Sequence, residues 1–195
     1  MAITTDQVKE LRDKTGVSIM QCKKALEDSN GDMEQALVLL KKKGAEIADK
    51  KSDRDLGAGV VQAYIHTSGN IGAMVELWCE TDFVAKNEEF KALAYDIAMQ
   101  VAATKPEFLS MDNVGEDAKK KAEEVFTKEL EGKPENMKAQ ILEGKINSYF
   151  KEMVLLEQPF IKNDSLTVGA MISNGIQKFG EKIVVGKFAR FTTKV

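Results

Sequence analysis

Val60-Val61-Gln62-Ala63-Tyr64-Ile65-His66, Thr67-Ser68-Gly69-Asn70 and Ile71-Gly72-Ala73-Met74-Val75-Glu76-Leu77-Trp78-Cys79-Glu80 follow one another along the chain. Two runs rich in β-branched and aromatic residues thus flank four residues of turn chemistry, the pattern of a β-hairpin. Within the second run Ile71, Ala73, Val75, Leu77 and Cys79 alternate with Gly72, Met74, Glu76, Trp78 and Glu80. The first set suits the packed face of a sheet. The second still carries Met74 and Trp78, and Tyr64 is expected to join them from the neighbouring strand. A sheet with one wet face alternates more cleanly than this, so the outer face also needs a cover.

Downstream of the hairpin, Phe90, Leu93, Ala94, Ile97, Ala98 and Val101 recur at helical spacing, and Lys105-Pro106 ends that helix. Two polar helical stretches follow, Glu116 to Glu131 and Glu135 to Leu156, separated by Gly132-Lys133-Pro134 and read as an antiparallel pair closed by Pro159. Val168, Met171 and Ile172 suggest a further helix stopped at Asn174-Gly175. The end, Lys182 to Thr193, is β-rich, with Ile183 and Val185 at one parity and Val184 and Phe188 at the other.

Upstream, residues 1–44 read as three short helices. Thr4 with Gln7 and Ser18 with Gln21 are capping boxes, Asp32 caps the third helix, and Gly16, Asn30-Gly31 and Gly44 are the stops. Each is too short to be stable alone, so the three must pack together. Residues 45–58 are charged and weakly periodic, which reads as an exposed linker, and residues 59–195 form the core domain with a helical hairpin at about 116–156. The class is α+β: a three-helix module, then a small antiparallel sheet packed with helices and a helical hairpin.

Composition narrows the function. With 43% hydrophobic and 30% charged residues the chain has an ordinary globular balance. A net charge of -3 argues against a general nucleic-acid binder, and Lys41 to Lys43 and Lys119 to Lys121 read as solvated helix faces. No apolar run approaches the ~20 residues of a membrane span. Cys22 and Cys79 lack CxxC spacing and, with the single His66, offer no metal pattern. A soluble, reduced, cytoplasmic protein without cofactor or metal is expected.

No phosphate-binding glycine loop, nucleophile elbow or HExxH motif occurs, so no enzymatic chemistry is expected. His66, at the hairpin end, has no nucleophile or orienting carboxylate near it in sequence. One segment stands apart: Glu80-Thr81-Asp82-Phe83-Val84 joins the second strand to the amphipathic helix. Thr81 or Asp82 can be a plain helix cap with Phe83 a hydrophobic staple. A large aromatic at a strand-to-helix corner beside a carboxylate can equally be a recognition tip.

That segment also carries a resemblance. Tyr64-Ile65-His66 and Val75 through Asn87 are similar to the core signature of the elongation factor Ts family. Val8 to Arg12 and Thr15 to Leu26 resemble its first module, and Leu155 to Phe160 and Phe188 to Phe191 are further matches in the family's order. The resemblance implies a ubiquitin-associated-like three-helix module on a linker and an α+β core, in a guanine-nucleotide exchange factor for elongation factor Tu. It implies that Arg12, Ile19 and Met20 dock on Tu's nucleotide domain, and that Thr81, Asp82, Phe83 and Val84 enter Tu and displace its Mg²⁺. His66 belongs to a core segment that can also face Tu. Ile19 stands where many members have methionine, a volume-conserving change, and longer members carry a second core subdomain that this short form lacks.

The expected partners are elongation factor Tu, GDP-bound and nucleotide-free, and a second copy of the chain; a homodimer would cover the outer sheet face. The carboxyl-terminal helix or the linker folded over that face is the alternative cover. Two other functions stay in view. A ubiquitin-associated-like adaptor without exchange activity would explain residues 1–44 but not the corner, and RNA binding would rest on the lysine runs alone.

Overall fold

The structure, a computed structural model, describes residues 3–130 and 135–193. Gly132-Lys133-Pro134, the expected break between the two polar helices, lies outside the described residues.

Three helices open the chain: α1 (Thr5–Thr15), α2 (Ile19–Asp28) and α3 (Met33–Lys50). The local signals act as read at most ends. Thr4 and Gln7 form the reciprocal capping box, Gly16 closes α1 in the left-handed region at φ 69°, and the Asp32 side chain accepts the Gln35 amide. At α2 only half of the expected box forms: Ser18 accepts the Gln21 amide, but Gln21 Oε1 has no hydrogen-bond partner. Val8, Leu11, Val17, Cys22, Ala25, Leu26, Ala36 and Leu40 make the small core that none of the helices could build alone.

The third helix does not stop at Gly44. It runs on to Lys50, through what read as linker, because Gly44 is where it crosses α8 (Val168–Phe179). A side-chain carbon at Gly44 would lie 2.5 Å from Gln177 Nε2. That nitrogen instead donates to the Leu40 carbonyl at 3.0 Å, and Ile47 and Ala48 pack on the main core. A glycine costs a helix about 1 kcal/mol against alanine, and close packing outweighs it here. The charged segment is therefore bound to the core for most of its length.

The hairpin is β1 (Ala58–Ile65) and β2 (Ile71–Cys79), and β2 also pairs antiparallel with β5 (Val184–Thr192), giving the sheet order β1-β2-β5. After β2 come one turn of helix, α4 (Asp82–Ala85), and the amphipathic α5 (Glu88–Thr104). Ala73, Val75, Leu77 and Cys79 bury against Phe90, Ala94, Ile97, Ala98 and Val101 of α5. The helical pair α6 (Glu116–Glu129) and α7 (Glu135–Met153) projects from this core with its own cluster around Phe150, Val154, Ala122 and Val114. Pro159 does not end α7; it begins β3 (Pro159–Phe160), which pairs with β4 (Asn163–Thr167), a two-stranded element the sequence did not suggest. Asn174-Gly175 is likewise interior to α8, where Gly175 packs under Leu93 and Gly180 provides the stop.

The register corrects the expected outer face. Tyr64 pairs with Ala73 and its ring meets Tyr95 of α5, so it belongs to the inner side. Opposite Val75–Leu77, one extra residue in β5 puts Val185 and Phe188 on that same inner side despite their opposite parity. The outer face carries Val61, Ile65, Met74, Trp78 and Phe191 instead, all exposed. Trp78 lies over Gly186, where any side chain would collide with the indole. α8 and, from the expected linker, Ile47 and Ala48 pack on the inner side, while Ser52 and Arg54 are held by Lys182 at the corner.

Candidate functional site

The corner between β2 and α5 is built from its backbone outward. Thr81 is the cap of α4: its hydroxyl accepts the Val84 amide at 3.4 Å, with an extended backbone at φ -125°, ψ 155°. Val84 and Ala85 bury into the core on one side of this single turn. Phe83, between them and the cap, points the other way and is 80% exposed. A hydrophobic staple requires burial against the helix it starts, so the staple reading fails. Asp82 also faces solvent, paired with Lys86 at 2.6 Å, and that ammonium holds its carboxyl below the ordinary value.

The corner is tied down from behind by residues with no local signal in the sequence. Glu181 accepts the Glu80 and Thr81 amides, each at 3.0 Å, and the Thr81 hydroxyl at 2.6 Å. Glu80 in turn accepts the Lys182 amide at 2.5 Å and the Arg54 guanidinium at 3.0 Å. Partial burial pushes the Glu80 carboxyl up, but the Lys182 amide and Arg54 outweigh it, and the net shift is downward. Lys182 also donates to the Ser52 and Arg54 carbonyls, and Lys51 to the Gly180 carbonyl. Beneath them Cys79 is buried, its thiol pushed up by desolvation and by the nearby Glu181 charge.

Arg12 lies in the last turn of α1 and Ile19 and Met20 in the first turn of α2, joined by the short Gly16–Ser18 connection. Ile19 is 55% and Met20 78% exposed, an unusual placement for apolar side chains beside a formed core. The same end of α1, Asp13 to Gly16, lines an open cleft of about 290 Å³ whose opposite wall includes Glu89 of α5 and Lys178 of α8. Arg12, Ile19 and Met20 themselves do not line this cleft.

His66 is elsewhere. It sits at the turn end of the hairpin, exposed, with Nδ1 3.1 Å from the Tyr64 hydroxyl. At ~3.3 Å of rise per residue along β2, it is about 30 Å from Thr81. Cys22 is a core residue, its thiol raised by burial. Among the described residues, no group of three or more His, Cys, Asp or Glu side chains is placed to hold a metal, and no helix is long and apolar enough to cross a membrane.

The geometry therefore offers an exposed aromatic on a braced corner, and comparison with known proteins gives it a family. The family model described as Elongation factor TS matches residues 5–192. The chain belongs to the elongation factor Ts family. It is 49% identical over 191 residues to the elongation factor Ts of Carboxydothermus hydrogenoformans, covering 97% of this chain and 88% of the relative. The elongation factor Ts of Thermodesulfovibrio yellowstonii is 46% identical over 98% of this chain and 96% of its own. That of Coprothermobacter proteolyticus is 44% identical, with 98% of each chain covered. The matches span most of each relative's own length.

Proposed function

We propose that the chain is a guanine-nucleotide exchange factor for elongation factor Tu that works by insertion of the Thr81–Val84 corner and performs no bond-making chemistry of its own. The observation that carries this reading is Phe83, 80% exposed on a turn whose neighbours Val84 and Ala85 are buried. Such an aromatic is a poor surface residue and a good anchor for a partner's pocket. Mg²⁺ bridges nucleotide phosphates and protein ligands in GTPases, so moving those ligands weakens GDP. Phe83 would act as the wedge. Asp82, ionised beside Lys86, would compete for groups that orient the metal's water shell. Coupling is reciprocal, so GDP weakens the factor's binding as much as the factor weakens GDP. A thousandfold coupling corresponds to about 4 kcal/mol, within reach of a protein interface.

In this reading residues 1–44 dock through Arg12, Ile19 and Met20, and His66 is a separate contact of the core with Tu. The working form is a homodimer in the cytoplasm, with the outer sheet faces of two copies against each other. Val61, Ile65 and Phe191 are each about two-thirds exposed on that face, and an apolar patch of this kind marks an interface. The test of the central claim is release of fluorescently labelled GDP from elongation factor Tu with and without the chain. Acceleration at substoichiometric amounts is expected. Binding to Tu without acceleration would leave an adaptor and end the exchange reading.

A further inference from the structure

The carboxylates behind the corner do more than close the end of a sheet. The β2–β5 ladder finishes at Trp78 and Val184. Beyond it the two segments exchange carboxylates for amides: Glu80 takes the Lys182 amide, and Glu181 takes the amides of Glu80 and Thr81. Glu181 then goes one bond further, accepting the Thr81 hydroxyl at 2.6 Å. That hydroxyl is the group that caps α4 by accepting the Val84 amide. Because it donates to Glu181, its oxygen lone pairs are turned toward Val84. One carboxylate thus fixes the backbone at Glu80 and Thr81 and the rotamer of the cap.

A single helical turn does not persist alone in water, so the direction of Phe83 depends on what holds α4. Val84 and Ala85 hold its far side by burial. Its amino-terminal side is held by Thr81, and Thr81 by Glu181. We infer that Glu181 is the positioning residue of the inserting corner, setting the angle at which Phe83 is presented to elongation factor Tu. The inference rests on the exchange reading given above, and its three charge-assisted bonds are of the strong kind.

The experiment is GDP release from Tu measured against chain concentration, which separates the maximal rate from the half-saturating concentration. Glu181→Ala is expected to lower the maximal rate about tenfold, since a small misplacement of an acting group costs up to ~10²-fold. The half-saturating concentration, set by docking elsewhere, should stay within about twofold. Glu181→Gln keeps a neutral acceptor at the same reach and should restore part of the rate. In a Phe83→Ala background, Glu181→Ala should cost about twofold at most, because only the weaker Asp82 is left to aim. An equal loss with and without Phe83, or an unchanged maximal rate in a folded Glu181→Ala chain, would overturn the inference while leaving exchange intact. If Glu181→Ala does not fold, the same cycle with Glu181→Gln decides. A wild-type chain that fails to accelerate release would instead overturn the exchange reading, and the positioning role with it.

Discussion

Replacing Phe83 by alanine tests whether the corner is an anchor or an ornament. The side chain is 80% exposed, so its removal takes almost no apolar area out of the folded chain. Exposed substitutions of this kind change stability by about 0.5 kcal/mol or less, and alanine is the better helix former in α4. The partner-bound state is different. Burying a phenylalanine side chain fully is worth about 1.5–3 kcal/mol, and tenfold in rate corresponds to ~1.4 kcal/mol. Phe83→Ala should therefore slow subsaturating GDP release by roughly 10- to 100-fold with the melting curve unmoved. Stopped-flow fluorescence of labelled GDP leaving Tu reads the first, and thermal circular dichroism the second. Two outcomes would refute the reasoning. Exchange within twofold of wild type would remove Phe83 from the mechanism. A large fall in melting temperature would mean the ring supports its own chain, against its exposure.

Asp82→Ala should slow release less than Phe83→Ala in the same assay, because a solvated charge at a rim contributes less than a buried anchor. Met74→Lys with Trp78→Lys on the outer sheet face should give a monomer mass in light scattering with helical content retained; a wild-type chain that is already a clean monomer, and active, would end the dimer proposal. Gly44→Val should destabilise by about 1–3 kcal/mol through overpacking against Gln177, visible as a shifted urea midpoint. Glu80, whose carboxyl is held below its ordinary 4.5, contributes stability that is present above 4.5 and lost as pH falls through the lower folded value. Glu80→Gln should accordingly flatten the acid limb of the melting-temperature profile, and an unchanged limb would contradict the Arg54 and Lys182 contacts as a stabilising pair. A chain begun at residue 57 should melt below the full chain, because Ile47 and Ala48 are part of the main core, whereas one begun at residue 45 should recover most of the loss.

What was legible in the sequence was whatever a few neighbouring residues decide. The Thr4–Gln7 box, the Asp32 cap and the α5 stripe depend on contacts within one or two turns, and they form as read. The hairpin and its packed parity were legible because alternation fixes which side chains share a face. Failures came where distant packing overrules local preference. Gly44 and Gly175 read as stops, yet both are interior to helices because Gln177 and Leu93 approach too closely for a larger residue. Tyr64 falls on the inner face because parity along one strand says nothing of its register with the next, and Phe188 joins Val185 there because an extra residue in β5, opposite Val75–Leu77, shifts that strand's parity. At the candidate site, Phe83 was legible as an oddity, but two readings stood until its exposure excluded the staple. Glu181 left no trace at all, being 100 positions from Thr81.

The continuous α3 changes what the docking module can do for the corner. A module on a flexible linker would search a volume after docking, and the corner's effective concentration would be that of a tethered coil. Here the module's last helix is fastened to α8 through Gln177 and Leu40. The segment after it is fastened to the Gly180–Lys182 turn through Lys51 and Lys182, and that turn holds Thr81. An unbroken series of hydrogen bonds therefore runs from the helix beside the docking surface to the cap beneath Phe83. Rigid connection removes the ordering cost that a flexible tether would add at the moment of insertion. Under the proposed function, docking and insertion would then act as one binding event, with Arg12, Ile19 and Met20 setting how often the corner reaches its target and Phe83 setting what happens there.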